Sequence, residues 1–190
     1  MPRWEKREFN LPPTHRWQAR KGNKIFIADR GAVQFEYPGD WVASPGEHSF
    51  CFYDKPEPDD DIRLECSMIR MPPIKDDDWS GLPLADLLEN TVLTSDERGV
   101  TKTGRNRRVL RPNMEAEWLE VDFFDSSQDR WAKSRMCLAR GKGIQAFITM
   151  DYWPEDTPTV RRVWDDVLRS LKLGEYISNP FRGPQRREQS

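Results

Sequence analysis

The sequence predicts an α+β protein, a layered sandwich whose strands are antiparallel. Strands with period-2 alternation follow one another in two runs, and short turn segments separate them. Helical periodicity occurs twice, once between the two runs and once after the second. Runs of strands with few, segregated helices are typical of α+β sandwiches and not of a parallel doubly wound sheet.

The composition indicates a folded chain despite its low apolar content. Hydrophobic residues make up 36% of the 190 residues and charged residues 33%, which is close to the composition of disordered proteins. Disorder also requires a high net charge and few aromatic residues. The net charge is only −2, and eight Trp, nine Phe and four Tyr supply large apolar side chains. We therefore expect a core that depends on aromatic residues beneath a heavily charged surface.

Alternation of apolar and polar residues marks the strands. The run 32–37 is the clearest, because Val33, Phe35 and Tyr37 share one face. Polar residues occupy its other face, which is typical of a half-buried strand. The predicted strands cover residues 24–28, 32–37, 49–53, 62–71, 105–110, 115–124, 130–139 and 143–152.

Two stretches have helical periodicity. The first runs from a cap at Ser80 to about Leu93. In the second, apolar residues recur at helical spacing and form one continuous stripe. Thr157 is predicted to cap this helix, with Pro158 in its first position and Gly174 at its end. The stripe consists of Val160, Val163, Trp164, Val167, Leu168 and Leu171.

The turn between the first two strands of the second run predicts their register. Pro112-Asn113 has the chemistry of a tight turn, because proline presets one backbone angle and asparagine tolerates a positive φ. That register places Arg108 opposite Glu117 and Arg105 opposite Glu120. Cross-strand charge pairs of this kind stabilise a sheet by about 0.2–1 kcal/mol each.

One domain is predicted, with a segment on either side of it. Residues 1–23 show no period and form an N-terminal arm, residues 24–174 form the domain, and residues 175–190 form a loose tail. No stretch approaches the roughly 18 apolar residues of a membrane span, and the first residues do not have the pattern of a secretion signal. We therefore expect a cytoplasmic protein that does not insert into membranes.

The sequence contains no recognisable catalytic motif. The three cysteines, Cys51, Cys66 and Cys137, have no metal-binding or redox spacing, and a small buried thiol explains each of them. There are only two histidines to serve as bases or ligands. Phosphate-binding glycine loops and nucleophile motifs are absent from the sequence. We expect no enzyme and no cofactor.

Two runs of aspartate could in principle hold a divalent cation. Clustered carboxylates are the ligands that Ca²⁺ and Mg²⁺ prefer, but neither run has the spacing of a calcium-binding loop. Solvated loop charge is the preferred interpretation, and a metal- or small-ligand-binding enzyme is the alternative. The weak metal candidates are Asp59, Asp60, Asp61, Asp76, Asp77 and Asp78.

The basic residues do not predict nucleic-acid binding. Six bases between Arg98 and Arg111 are followed by six acids between Glu115 and Asp129, so the two stretches cancel locally. A nucleic-acid interface needs a basic face that is not neutralised. Pairing within the hairpin is the simpler interpretation.

Large aromatic residues on charged strand faces form the candidate binding surface. Trp118 and Phe124 lie on the charged face of their strand, and Trp131 and Arg135 lie on the charged face of the next. If these strands are neighbours, Trp118, Phe124, Trp131 and Arg135 form one surface that a partner could contact. The alternative is that a helix or the N-terminal arm covers it.

Two motifs resemble the PsbP-like domains. The segment Phe35-Glu36-Tyr37-Pro38-Gly39-Asp40-Trp41 resembles their first motif, and the last strand with its terminal helix, ending Val167-Leu168-Arg169-Ser170-Leu171, resembles their C-terminal end. The resemblance covers residues 24–173. It implies a three-layer α/β/α sandwich, an antiparallel sheet flanked by helices. Mog-type Ran-binding proteins, bacterial DcrB-type domains and bacterial effector-chaperone domains share this fold.

The resemblance implies binding and not one activity, because similar proteins act as extrinsic subunits, small-GTPase partners and chaperones of hydrophobic segments. The leading hypothesis is a non-enzymatic domain that binds a protein partner or a hydrophobic segment through its sheet face. A metal- or small-ligand-binding enzyme using the aspartate loops is the second hypothesis. A homodimer formed through an edge strand or the aromatic face is the third.

Overall fold

The computed structural model describes residues 5–72, 83–95 and 98–184, and within these ranges it contains ten strands and two α-helices. The helices are α1 (Leu84–Ser95) and α2 (Thr157–Ser170). The strands are β1 (Asn23–Ala28), β2 (Val33–Pro38), β3 (Val42–Pro45), β4 (Ser49–Tyr53), β5 (Ile62–Arg70), β6 (Thr101–Arg111), β7 (Met114–Asp125), β8 (Arg130–Gly141), β9 (Ile144–Tyr152) and β10 (Lys172–Leu173).

The strands form two antiparallel sheets. Seven strands form the large sheet in the order β3-β4-β5-β9-β8-β7-β6, and three form the small sheet in the order β1-β2-β10. The small sheet is completed after α2, where Lys172 pairs with Gln34 and Leu173 with Val33. The sequence does not predict this division, because a strand of two residues is too short to show a period.

Helix α1 covers one face of the large sheet. Leu84, Leu88 and Val92 lie four residues apart on one side of the helix, and all three are buried. They pack against four apolar side chains of β7 and β8, which lie at alternate positions along each strand and therefore share one face. These four are Leu119, Val121, Met136 and Leu138.

Helix α2 and the small sheet cover the other face. Trp164 and Val167 of the helix are fully buried in the main core, and Phe35 of β2 enters the same core. Trp118 and Cys137 of the large sheet lie beneath them. The α+β class and the antiparallel sheet flanked by helices are confirmed, and the predicted apolar stripe of the last helix is the buried one.

Both ends of α2 differ from the prediction. The Thr157 hydroxyl donates to the Pro154 carbonyl at 2.6 Å and does not cap the helix. The helix ends at Ser170 and not at Gly174, because the chain must extend to form β10. Gly174 lies after that strand with φ 60°, a conformation that favours glycine. The predicted cap of α1, Ser80, lies outside the described residues.

The register of β6 and β7 follows the prediction near the turn and departs from it farther along. Arg108 lies opposite Glu117, as predicted. A β-bulge between Thr103 and Arg107 then shifts the register, so that Thr103 and not Arg105 lies opposite Glu120. The predicted pairing of Arg105 with Glu120 is therefore wrong, because the bulge inserts extra residues into β6 alone.

A buried polar network joins the beginning of β1 to α2. The Glu36 side chain of β2 accepts hydrogen bonds from the Arg20 backbone at 2.9 Å and from Arg169 of α2 at 3.0 Å. Asn23 donates to both Glu36 and Asp166. Burial alone would raise the pKa of Glu36, but these hydrogen bonds outweigh it and lower the pKa. The network fixes α2 against the small sheet.

The described parts of the arm and the tail contact each other. The Trp17 indole nitrogen donates to the Pro180 carbonyl at 2.6 Å, and the Arg16 backbone donates to the Arg182 carbonyl at 2.9 Å. The rings of Phe9 and Phe181 meet edge to face at 5.0 Å. The described parts of the arm and the tail therefore pack against each other.

Candidate functional site

The predicted candidate residues lie on one face of the hairpin formed by β7 and β8. The strands pair directly, with Trp118 opposite Cys137, Glu120 opposite Arg135 and Phe124 opposite Trp131. Side chains two residues apart share a face of a strand, so Trp118, Phe124, Trp131 and Arg135 are all on the side of α2. We call this surface the β7–β8 face.

Helix α2 covers one end of the β7–β8 face. Trp118 is only 7% exposed, and its ring meets that of Trp164 edge to face at 5.7 Å. The guanidinium groups of Arg107 and Arg135 lie 4.7 Å and 5.4 Å from the centre of the Trp118 ring. Trp118 thus belongs to the core.

The middle of the face carries ion pairs. Arg135, which is 6% exposed, donates from Nε to Glu120 Oε2 at 2.9 Å, and the Tyr152 hydroxyl donates to the same oxygen at 2.8 Å. Burial would raise the pKa of Glu120, but these two hydrogen bonds outweigh it and hold the pKa below its ordinary value. Burial and the Glu120 carboxylate raise the pKa of Tyr152. Lys133 pairs with Asp122 at 2.7 Å.

The far end of the face is open. Trp131 is 60% exposed and Phe124 43% exposed, and their rings meet edge to face at 5.7 Å. The Arg130 guanidinium lies 4.0 Å from the centre of the neighbouring Trp153 ring and pairs with Glu155 at 2.6 Å. We call Phe124 and Trp131 the aromatic pair.

A polar cleft lies between the β6 bulge and α2, with a volume of about 490 Å³. Arg105 and Arg107 line its β6 wall, and Arg161 and Asp165 line its α2 wall. Trp118 and Glu120 lie between the walls. We call it the arginine cleft.

The sequence interpretation missed the arginine cleft because it began the strand at Arg105, after Gly104, and assumed an unbroken register from there to the turn. The bulge contains Gly104, whose φ of 85° suits glycine best. A glycine inside a strand pattern is a recognised signal of a bulge, and this one lies within the basic stretch. Read in that way, Gly104 would have indicated where the strand pattern breaks.

A second cavity, of about 630 Å³, lies beneath the N-terminal arm. Its apolar wall includes Phe26, whose ring packs edge to face against Phe50 at 4.9 Å and against Phe52 at 5.0 Å. Leu11 of the arm and Ile177 of the tail also line it. The contacts between arm and tail therefore close this cavity.

Of the two aspartate loops, only the one with Asp59, Asp60 and Asp61 lies within the described residues. Asp61 forms an ion pair with Lys55, and the backbone nitrogens of Asp61 and Ile62 donate to Asp54 at 2.9 Å. Burial raises the pKa of Asp60. Among residues 5–72, 83–95 and 98–184, no three His, Cys, Asp or Glu side chains are placed to hold a metal ion. Asp76, Asp77 and Asp78 lie outside these ranges.

The cysteines are buried free thiols, as predicted. Burial raises the pKa of Cys66 to about 12 and also raises that of Cys137. A thiol with a raised pKa is protonated at neutral pH, so it is a poor nucleophile.

The basic stretch is neutralised only in part by the acids that follow it. Arg108 contacts Glu115 at 3.2 Å and Glu117 at 3.6 Å, as the hairpin interpretation requires. Arg111 instead donates to the Leu168 and Leu171 carbonyls at the end of α2. Glu120 pairs with Arg135 of β8, as described above.

Neither described helix is long and apolar enough to cross a membrane.

Comparison with known proteins identifies a family and a fold. Residues 24–177 match the profile of the Alr1449 family. The uncharacterized protein alr1449 of Nostoc sp. (strain PCC 7120) is 40% identical over 181 residues, which cover 95% of this chain and 92% of that protein.

Two solved structures share the fold at low identity. Cyanobacterial PsbP (CyanoP) from Synechocystis sp. PCC 6803 has a TM-score of 0.60 at 14% identity, covering 82% of this chain and 94% of that chain. LpqN, involved in cell envelope biogenesis of Mycobacterium tuberculosis, has a TM-score of 0.52 at 12% identity, covering 79% and 89%. The protein is a member of the Alr1449 family and has a PsbP-like fold.

Proposed function

We propose that this protein is a non-enzymatic binding module, and that a partner protein docks on the open end of the β7–β8 face. The aromatic pair is the anchor. The observation that carries the proposal is the exposure of Trp131. This tryptophan is 60% exposed, although Trp118 on the same face is buried in the core.

The chemistry of the surface supports a protein partner. Tryptophan is enriched among the residues that contribute most to binding at protein interfaces, and such residues are surrounded by a polar rim. Here the Lys133–Asp122 ion pair lies next to the aromatic pair on the same face and supplies part of such a rim. Ion pairs that are already satisfied within the chain need little rearrangement when a partner covers the rim.

The rigidity of the surface favours the same interpretation. Phe124 and Trp131 lie on two strands that pair along their whole length, so both rings have fixed backbones. When a partner buries these rings, the backbone therefore loses little conformational entropy. The resemblance to Mog-type and effector-chaperone domains agrees with a binding role, and we take the cytoplasm as its compartment.

Site-specific crosslinking tests the proposal. A photoreactive phenylalanine derivative is placed at Trp131 in the organism of origin, and the same group is placed at Leu110 as a control. Leu110 is 69% exposed and lies in the β6–β7 hairpin. We expect a discrete adduct with another protein from position 131 and none from position 110.

Three other outcomes would contradict the proposal. An absence of adducts at position 131, or the same adducts from both positions, would remove the aromatic pair as the docking site. An adduct that contains only two copies of this chain would mean that the aromatic pair forms a homodimer and does not bind a different protein. Light scattering on the purified protein would then show a dimer.

A further inference from the structure

The arginine cleft has the features of an anion-binding site that is separate from the aromatic pair. We propose that it binds a small molecule carrying a multivalent oxyanion, in the form of phosphate or carboxylate groups. The proposal does not depend on the partner protein, because it uses different residues.

The charges that line the cleft do not cancel. Arg105, Arg107 and Arg161 form no ion pair with any residue that the structure describes. Glu120 is already held by Arg135 and by the Tyr152 hydroxyl. That leaves three guanidinium groups facing one carboxylate, Asp165, across a cavity of about 490 Å³. An anion between the two walls would balance them.

The β-bulge is what leaves Arg105 without an ion-pair partner among the described residues. In an unbroken strand Arg105 would lie opposite Glu120 and could pair with it. The bulge moves Thr103 to that position, and Arg105 instead lines the cleft. Bulges occur often beside functional sites, where they redirect a side chain. The register shift thus converts a structural ion-pair position into an available cation.

Arg107 is held in place before any ligand arrives. Its guanidinium lies 4.7 Å from the centre of the Trp118 ring, and Trp118 is itself fixed by the core. A planar guanidinium presents its N–H groups as a fork that matches the oxygens of phosphate and carboxylate. A side chain that is already positioned loses little conformational entropy on binding.

The size of the cleft indicates more than a single inorganic ion. Ligand pockets have volumes of about 300–1,000 Å³, and this cleft falls within that range. The Asp165 carboxylate on the α2 wall can accept a hydrogen bond from a hydroxyl or amine of the same ligand. The ligand class is therefore an organic anion with at least one hydrogen-bond donor.

Calorimetric titration with pyrophosphate and, separately, with citrate tests the proposal. The matched variants are Arg161→Ala and Arg162→Ala, which remove the same charge from adjacent exposed positions of α2, only the first of which lines the cleft. We expect at least one anion to bind with a millimolar or tighter Kd. Arg161→Ala should weaken binding about tenfold or more, and Arg162→Ala less than about twofold.

The choice between the two anions identifies the ligand chemistry, since tighter pyrophosphate binding indicates phosphate groups and tighter citrate binding indicates carboxylates. The proposal is overturned if neither anion binds at about 10 mM, or if the two variants weaken binding equally. Trp131→Ser should bind the anion as the unmodified protein does, so this test and the crosslinking test can fail independently.

Discussion

The β7–β8 face has a covered half and an open half, and the two differ in what lies above them, not in sequence pattern. Trp118 and Trp131 lie on the same face, and each has a charged residue, Glu120 or Lys133, two positions farther along its strand. Trp118 is 7% exposed and Trp131 is 60% exposed. Exposure on this face therefore depends on the position of α2.

The lengths of the elements explain the difference. Helix α2 has 14 residues and spans about 21 Å. Strand β7 has 12 residues and spans about 41 Å. Even a helix aligned with the strand would leave nearly half of it uncovered. The uncovered half carries the aromatic pair, and the ion pairs and the arginine cleft mark the boundary.

The largest effect is expected in the covered half. Trp164→Ala should lower the free energy of unfolding by about 3–5 kcal/mol, because a fully buried aromatic side chain is lost and a cavity remains against Trp118. Urea denaturation monitored by circular dichroism measures it. Arg162→Ala on the same helix, an exposed position, should change stability by less than about 0.5 kcal/mol. Equal losses would mean that α2 does not bury the face as described.

An intermediate effect is expected at the boundary. Glu120→Gln should lower the free energy of unfolding by about 1–3 kcal/mol at neutral pH, because buried Arg135 loses its charged partner. The Glu120 side chain is 25% exposed, which keeps the loss below that of a fully buried pair. Asp122→Asn is the control, and its more exposed pair with Lys133 should contribute less than about 1 kcal/mol.

The same variant has a predicted pH dependence. The pKa of Glu120 is lower in the folded protein than its ordinary value of 4.5. Its stabilisation is therefore complete above the pKa of the unfolded chain and is lost as the pH falls through the pKa of the folded protein. The stability difference between the unmodified protein and Glu120→Gln should shrink between about pH 5 and pH 2. A difference that grew in acid would contradict this sign.

The smallest effect is expected in the open half. Trp131→Ser should lower the free energy of unfolding by about 0.5–1 kcal/mol, since most of the side chain is in solvent and its ring contact is with Phe124. Thermal and urea unfolding measure it. A loss as large as that of Trp164→Ala would show that Trp131 belongs to the core, and the docking proposal would then have no anchor.

Periodic patterns predicted the fold well because they reflect local burial. The stripe from Val160 to Leu171 is the buried face of α2, and eight of the ten described strands lie where alternation placed them. Strands β3 and β10, of four and two residues, were not predicted because alternation cannot be detected over so short a length.

The site was harder to predict because it depends on contacts between distant elements. Sequence correctly placed Trp118, Phe124, Trp131 and Arg135 on one face, since alternation fixes the face of a strand. The sequence could not indicate that Trp118 lies under α2, because its contact there, Trp164, is 46 residues away along the chain. The prediction also assumed that β6 pairs with β7 without interruption. It therefore could not show that the bulge at Gly104 places Arg105 in the cleft beside α2.

The contact between the arm and the tail brings two segments that are far apart in sequence next to each other. Residues 16 and 182 are joined by a backbone hydrogen bond, and a side chain at Gly183 would press against Trp17 at 3.1–3.2 Å. A circular permutant in which a linker joins the arm to the tail, and whose new ends lie in the exposed loop at residues 55–59, should keep both sheets, which circular dichroism measures.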